Sequence, residues 1–153
     1  MGAVLAAAVI TAPSALAQNA HFIRADAAGP NNQGNLAVNF KIAGLGDNVT
    51  ITVTASADAT ALYACQNKGG NFPSDPKKQQ VSGPVSASGD FTSGKNGSIT
   101  GSLTLSPPPS TLDCPGGQRE VLANVSYTNV QVSGGGDTAD IPGTFSRTFV
   151  VVP

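Results

Sequence analysis

Residues 35–43 alternate without a break: Leu36, Val38, Phe40 and Ile42 are apolar, and Ala37, Asn39 and Lys41 between them are small or polar. Successive side chains of an extended strand point to opposite faces, so this spacing predicts a strand buried on one side only. The same period recurs along the chain. Val49, Ile51 and Val53 alternate with Thr50, Thr52 and Thr54, and Val81, Val85 and Phe91 mark a strand between Gln79 and Phe91. Ile99, Leu103 and Leu105 share a face. Val121, Ala123, Val125 and Tyr127 alternate with Leu122, Asn124, Ser126 and Thr128, after which the apolar positions switch to Val130 and Val132. That switch predicts a bulge. In the closing segment 144–152, Phe145, Phe149 and Val151 fall on one side.

Turn chemistry divides these runs. The cluster Gly29-Pro30-Asn31-Asn32-Gln33-Gly34 makes residues 20–27 the expected hairpin partner of 35–43. Gly44 to Asn48 forms the next turn. Residues 49–65 then fit either one long strand bent near Ala57-Asp58 or two short ones. Gln66 to Lys78 lacks periodicity and reads as an exposed loop, Pro107-Pro108-Pro109 stops a strand, and Gly134-Gly135-Gly136 opens another loop. Seven or eight short strands without a helix predict an all-β domain, an immunoglobulin-like Greek-key β-sandwich, with a jelly roll or closed barrel as the alternative. Antibody-type hallmarks are absent, because there is no Trp and Cys114 lies in a loop.

Met1 to Ala17 reads as a secretory signal peptide: an apolar run from Gly2 to Ala12, then Pro13-Ser14, then the small-x-small cleavage pattern Ala15-Leu16-Ala17. Residues 18–153 are then a single β-sandwich domain beginning at Gln18, secreted from the cell. In that setting the even count of two cysteines, Cys65 and Cys114, predicts one disulfide. The formal net charge is -1 and only 11% of residues are charged. No basic patch is available for nucleic acid, and there is no second apolar run to span a membrane.

Ala20-His21-Phe22, the run Tyr63 to Gly70, the run Val81 to Gly89, Cys114-Pro115-Gly116-Gly117-Gln118 and Val125 to Val130 together resemble a group of small secreted bacterial β proteins. The resemblance spans nearly the whole of 18–153. It implies bacterial secretion and paired cysteines, and it assigns no activity and no functional residue.

Catalytic chemistry is hard to assemble from these residues. A copper brace needs a second histidine besides His21, and an amino-terminal metal motif needs that histidine third rather than fourth behind Gln18. A Ser-His-Asp triad would have to recruit His21, and no Gly-x-Ser-x-Gly elbow is present. Most acidic residues, Asp58 and Asp90 among them, read as turn formers rather than a glycosidase pair. Asp137 and Asp140 after three glycines are candidates for calcium, without the dense oxygen spacing of a calcium loop. No cofactor is expected. The reading is a secreted, non-catalytic surface, matrix or binding protein. It would meet an extracellular protein or glycan through its cysteine-based loops, with Gln66, Asn67, Lys68, Asn71, Lys77 and Lys78 as the candidate binding residues. The alternatives are a copper- or calcium-dependent extracellular enzyme, a glycan hydrolase, and a protein that self-assembles by strand addition at 144–152. A monomer or weak self-association is expected.

Overall fold

A computed structural model describes residues 19–153. The signal peptide assigned to 1–17 and the expected amino-terminal Gln18 lie outside the described residues. Eight strands follow in order: β1 (His21–Ala28), β2 (Leu36–Ala43), β3 (Thr50–Asn67), β4 (Lys78–Thr92), β5 (Ile99–Leu105), β6 (Gln118–Gly134), β7 (Asp137–Ile141) and β8 (Phe145–Thr148). They form a three-stranded sheet, β1-β2-β5, and a five-stranded sheet, β4-β3-β6-β7, in which β8 also pairs with β6. All pairings are antiparallel. The chain changes sheets between β2 and β3, β4 and β5, and β5 and β6, and neither sheet closes on itself. This is the immunoglobulin-like Greek-key sandwich, and it sets the barrel alternative aside.

The predicted alternation builds the core directly. Leu36, Val38, Phe40 and Ile42 of β2 are all 0% exposed. They join one cluster with Ile99, Leu103 and Leu105 of β5 and with Val125, Tyr127, Val130 and Val132 of β6. Between Val53 and Ala61 the inward residues of β3 are Val53, Ala55, Ala57, Ala59 and Ala61, mostly small, which leaves room for the larger side chains of the facing sheet. Gly101 of β5 makes the tightest fit. A Cβ there would lie 2.7 Å from Phe91 Cε1 and 2.9 Å from Phe40 Cζ, and those two rings meet edge to face at 5.2 Å between centroids.

The segment read at 49–65 as one bent strand or two short ones is the single strand β3, Thr50–Asn67, and the bend expected near Ala57-Asp58 coincides with a slip of the β3–β6 register between Ser56 and Asp58. The bulge predicted after Tyr127 is present, with Asn129 in the left-handed region at φ 52, a conformation that Asn48 (φ 58) alone shares among the other described non-glycine residues. Four expectations need correction. A second register slip beside Leu62 and Tyr63 pairs Tyr63 with Leu122 and Ala64 with Val121, so Leu122 packs against the core in place of Val121. The bulged Ala123 instead offers its carbonyl to the N–H groups of Phe149 and Val150. Residues 137–141, read as loop, form β7, because Gly135 and Gly136 (φ 63 and 87) make a tight two-residue turn of the kind that joins antiparallel strands. Val151 is 79% exposed and leaves the apolar side assigned to it. Finally, Asp26, Asp58, Asp90, Asp137 and Asp140 lie within strands rather than turns, on faces where solvent or an amide can meet the carboxylate.

The two sheets differ in length, and this decides where the disulfide is needed. β3 has 18 residues and β2 has 8, so at ~3.3 Å per residue the larger sheet outreaches the smaller by about 30 Å. Beyond the smaller sheet, the inner face of the overhang is covered by the segment 106–117. The Tyr63 hydroxyl donates to Pro108 O at 2.7 Å. Gln79 exchanges two hydrogen bonds with Thr111, from Nε2 to Oγ1 at 3.0 Å and from the Thr111 N–H to Oε1 at 2.9 Å. Ser110 Oγ donates to Glu120, and Cys65 is bonded to Cys114.

Tyr127 ties the layers together from within. It is fully buried, and its hydroxyl donates to Gly34 O at 2.6 Å, with Leu105 O at 3.5 Å. Burial, reinforced by Tyr63, pushes its phenol well above the ordinary value near 10. Burial and the Glu120 carboxylate raise Tyr63 as well. An unfolded phenol ionises near pH 10 while these stay protonated, so their contribution is complete below pH 10 and is lost as pH rises through the raised native values. Tyr127→Phe should cost about 1–3 kcal/mol at neutral pH, because a buried carbonyl loses its donor. It should also flatten the alkaline fall in stability, whose slope is up to about 1.4 kcal/mol per pH unit per tyrosine. Urea denaturation from pH 8 upward checks both; parallel curves for the two proteins above pH 10 would refute the assignment.

Candidate functional site

The loop residues singled out from the sequence lie together at the overhanging end, with divided roles. Gln66 and Asn67 belong to β3 rather than to a loop. Gln66 is 7% exposed and its Nε2 donates to Gly70 O at 2.9 Å, holding the turn from inside. The backbone of Asn67 closes that turn, its N–H donating to Asn71 O and its carbonyl accepting from the Gly70 N–H. Lys77 Nζ donates to Asp113 O at 2.7 Å and Lys78 Nζ to Pro153 O at 3.2 Å. Three of the six candidates thus bind other parts of the chain with their side chains. Lys68 and Asn71 remain exposed at the tip, beside Ser74 and Asp75.

Cys65 and Cys114 stand 5.5 Å apart at Cα. With the contacts of Tyr63, Gln79 and Lys77 to the 106–117 segment, the bond makes this end a braced platform rather than a pair of free loops.

The metal candidates are dispersed. His21 Nδ1 donates to Asn19 O at 2.9 Å. Asp137 Oδ2 accepts the Phe22 N–H at 3.0 Å and so joins β7 to β1. Asp140 lies three residues on, an odd separation that turns it to the opposite face of β7, where it accepts from Gln131 Nε2 at 2.8 Å. Asp137 and Asp140 therefore cannot close on one ion. Among the described residues no three His, Cys, Asp or Glu side chains gather to hold a metal.

The strand edges also differ from expectation. The segment 144–152 contributes only Phe145–Thr148 to the sheet, and Pro142-Gly143-Thr144 separates it from β7. The long unpaired edge is β4, with 15 residues, and Pro84 at its middle removes a donor from any added strand.

The outer face of the larger sheet was legible only as a row of threonines. Across β3 and β4 its hydroxyls bond one another: Thr50 with Thr92 at 2.7 Å, Thr54 with Ser88 at 2.7 Å and Thr60 with Ser82 at 2.9 Å. Thr52 donates to Asp90 at 2.7 Å. Between Thr54 and Thr60 the ladder is interrupted, at Ser56 opposite Ser86 and at Asp58 opposite Pro84. Asp58 turns instead to β6, where it accepts from Asn129 Nδ2 at 2.9 Å. A shallow depression of about 370 Å³ opens there, lined by Ser56, Asp58, Pro84, Asn129 and Gln131. A second, of about 400 Å³, lies on the other side of Asn129 and Gln131, against Asp140 and the break at Pro142-Gly143-Thr144. The sequence signal for this cluster was the even position of Asp58 in the threonine row, which marks it as an outward strand residue.

Compared with family models, curated proteins and solved structures, the chain matches none. Among the described residues no helix is long and apolar enough to cross a membrane.

Proposed function

We propose that this is a secreted, non-catalytic binding protein that meets an extracellular protein or glycan through its disulfide-braced end. The observation that carries the reading is the division of labour in the 66–78 segment. Gln66, Lys77 and Lys78 are engaged within the chain: Gln66 and the Asn67 backbone hold the turn that carries Lys68 and Asn71, and the two lysines anchor the far end of the segment. A held tip loses little conformational freedom on binding, so exposed polar groups there bind more effectively than on a free loop. The disulfide fits an oxidising compartment, as does the signal peptide read at 1–17.

The test is an array of extracellular-matrix proteins and glycans probed with the purified protein and with Lys68→Ala/Asn71→Ala. Both side chains are exposed and make no side-chain bond that holds the fold, so the variant should melt within about 0.5 kcal/mol of the parent. Loss of the bound signal in that variant is the expected result. Equal signals from both proteins, or none from either at high concentration, would sink the reading.

A further inference from the structure

We propose that the paired depressions around Asn129 and Gln131, on the outer face of the larger sheet, form a binding site for a neutral saccharide, separate from the braced end. Three observations converge on this place. The hydroxyl ladder of β3 and β4 is interrupted at Asp58 and Pro84, so Asp58 has no side-chain partner on β4, as Thr54 and Thr60 have, and keeps acceptor positions beyond its bond to Asn129. The outer edge also opens: β7 pairs with β6 as far as Val130, β8 pairs from Tyr127, and Thr128 and Asn129 face no strand on that side. Asn129 adopts φ 52 at this gap, which aims its side chain back across the sheet to Asp58. Bulges commonly re-aim a side chain in this way beside binding sites.

The chemistry of the lining selects the ligand. Asn129 and Gln131 each spend one amide hydrogen on a carboxylate, Asp58 and Asp140 respectively. Each amide keeps a second hydrogen and a carbonyl oxygen, and each carboxylate keeps further acceptor positions. Donors and acceptors therefore alternate across the divide between the two depressions. A polyol, whose every hydroxyl both donates and accepts, matches that alternation. An anionic ligand would meet Asp58 and Asp140 without a lysine or arginine among the lining residues. A cation would find a single carboxylate in each hollow, because Asp58 and Asp140 lie on opposite sides of the Asn129 and Gln131 pair. Two adjoining hollows suit consecutive sugar rings of an oligosaccharide.

The experiment is a set of amide correlation spectra of the labelled protein, titrated to millimolar concentration with cellohexaose, xylohexaose, mannohexaose, chitohexaose and, separately, calcium chloride. At least one hexasaccharide should shift the backbone amides of residues 128–131 and 140–144 and the side-chain amides of Asn129 and Gln131. Asn129→Gly with Gln131→Ala should weaken that binding about tenfold, since two hydrogen-bonding groups are lost. Glycine keeps the left-handed backbone that alanine would strain, so the fold is preserved. Lys68→Ala/Asn71→Ala should bind the same sugar unchanged, which separates this site from the braced end. Shifts at residues 67–71 instead, no shifts with any of the four sugars, or the same shifts with calcium alone would each overturn the proposal.

Discussion

Replacing Cys65 and Cys114 together with alanine is expected to destabilise the protein by about 4 kcal/mol, the denatured-state entropy released when a loop of this length is opened. The bond spans 49 residues of sequence and bridges the tip of β3 to the segment 106–117. That segment stands where a second sheet is missing, so the loss will not be uniform. Tyr63, Gln79 and Ser110 should lose their partners across the overhang before the sandwich itself opens. Hydrogen exchange should therefore quicken first at 106–117 and at the tip of β3, with β2 and the centre of β6 keeping their protection. Urea denaturation of the double variant measures the total. A loss below about 1 kcal/mol would mean that the remaining contacts hold the overhang without the bond. The same variant should weaken any binding that depends on the braced tip, while leaving the Asn129 site intact.

Phe40→Ala is expected to cost about 3–5 kcal/mol, the range for emptying a buried aromatic position whose surroundings cannot collapse. Phe40 is 0% exposed at the middle of the smaller sheet. Gly101 beside it is already closed against both Phe40 and Phe91, so the neighbouring backbone has little freedom to fill the void. Phe91 is only partly buried and sits on the edge strand β4, so Phe91→Ala should cost distinctly less. A double-mutant cycle on the pair should return a coupling of about 0.5–1.5 kcal/mol from the edge-to-face contact. Equal losses for the two single variants would contradict this account of the core.

The strands, their buried faces and the disulfide partners were readable because each depends on local geometry or on simple counting. A period of two places Leu36 and Val38 on the same side of any extended backbone, whatever it packs against. With two cysteines only one pairing exists. The reading failed where a register slip intervened. At Ala123 the alternation continues in the sequence, yet the bulge turns Leu122 inward, because pairing with Tyr63 on β3 decides which residue faces the core. It also failed at β7, whose five residues include two aspartates, too polar and too short for a periodic signal.

The candidate sites divide along the same line. The sequence marked the 66–78 segment as a loop, but only the fold shows that Gln66, Lys77 and Lys78 are tied to Gly70, Asp113 and Pro153. Asp58 and Asn129 are 71 residues apart in the chain. By itself the sequence determined an all-β chain with one disulfide and known inward faces, since strand periodicity is a property of the backbone and needs no partner. Tertiary structure alone decided which strands became neighbours, and so which polar residues face solvent side by side. That choice rests on register between segments far apart in sequence, where the free energy comes from burying whole faces rather than from any local preference.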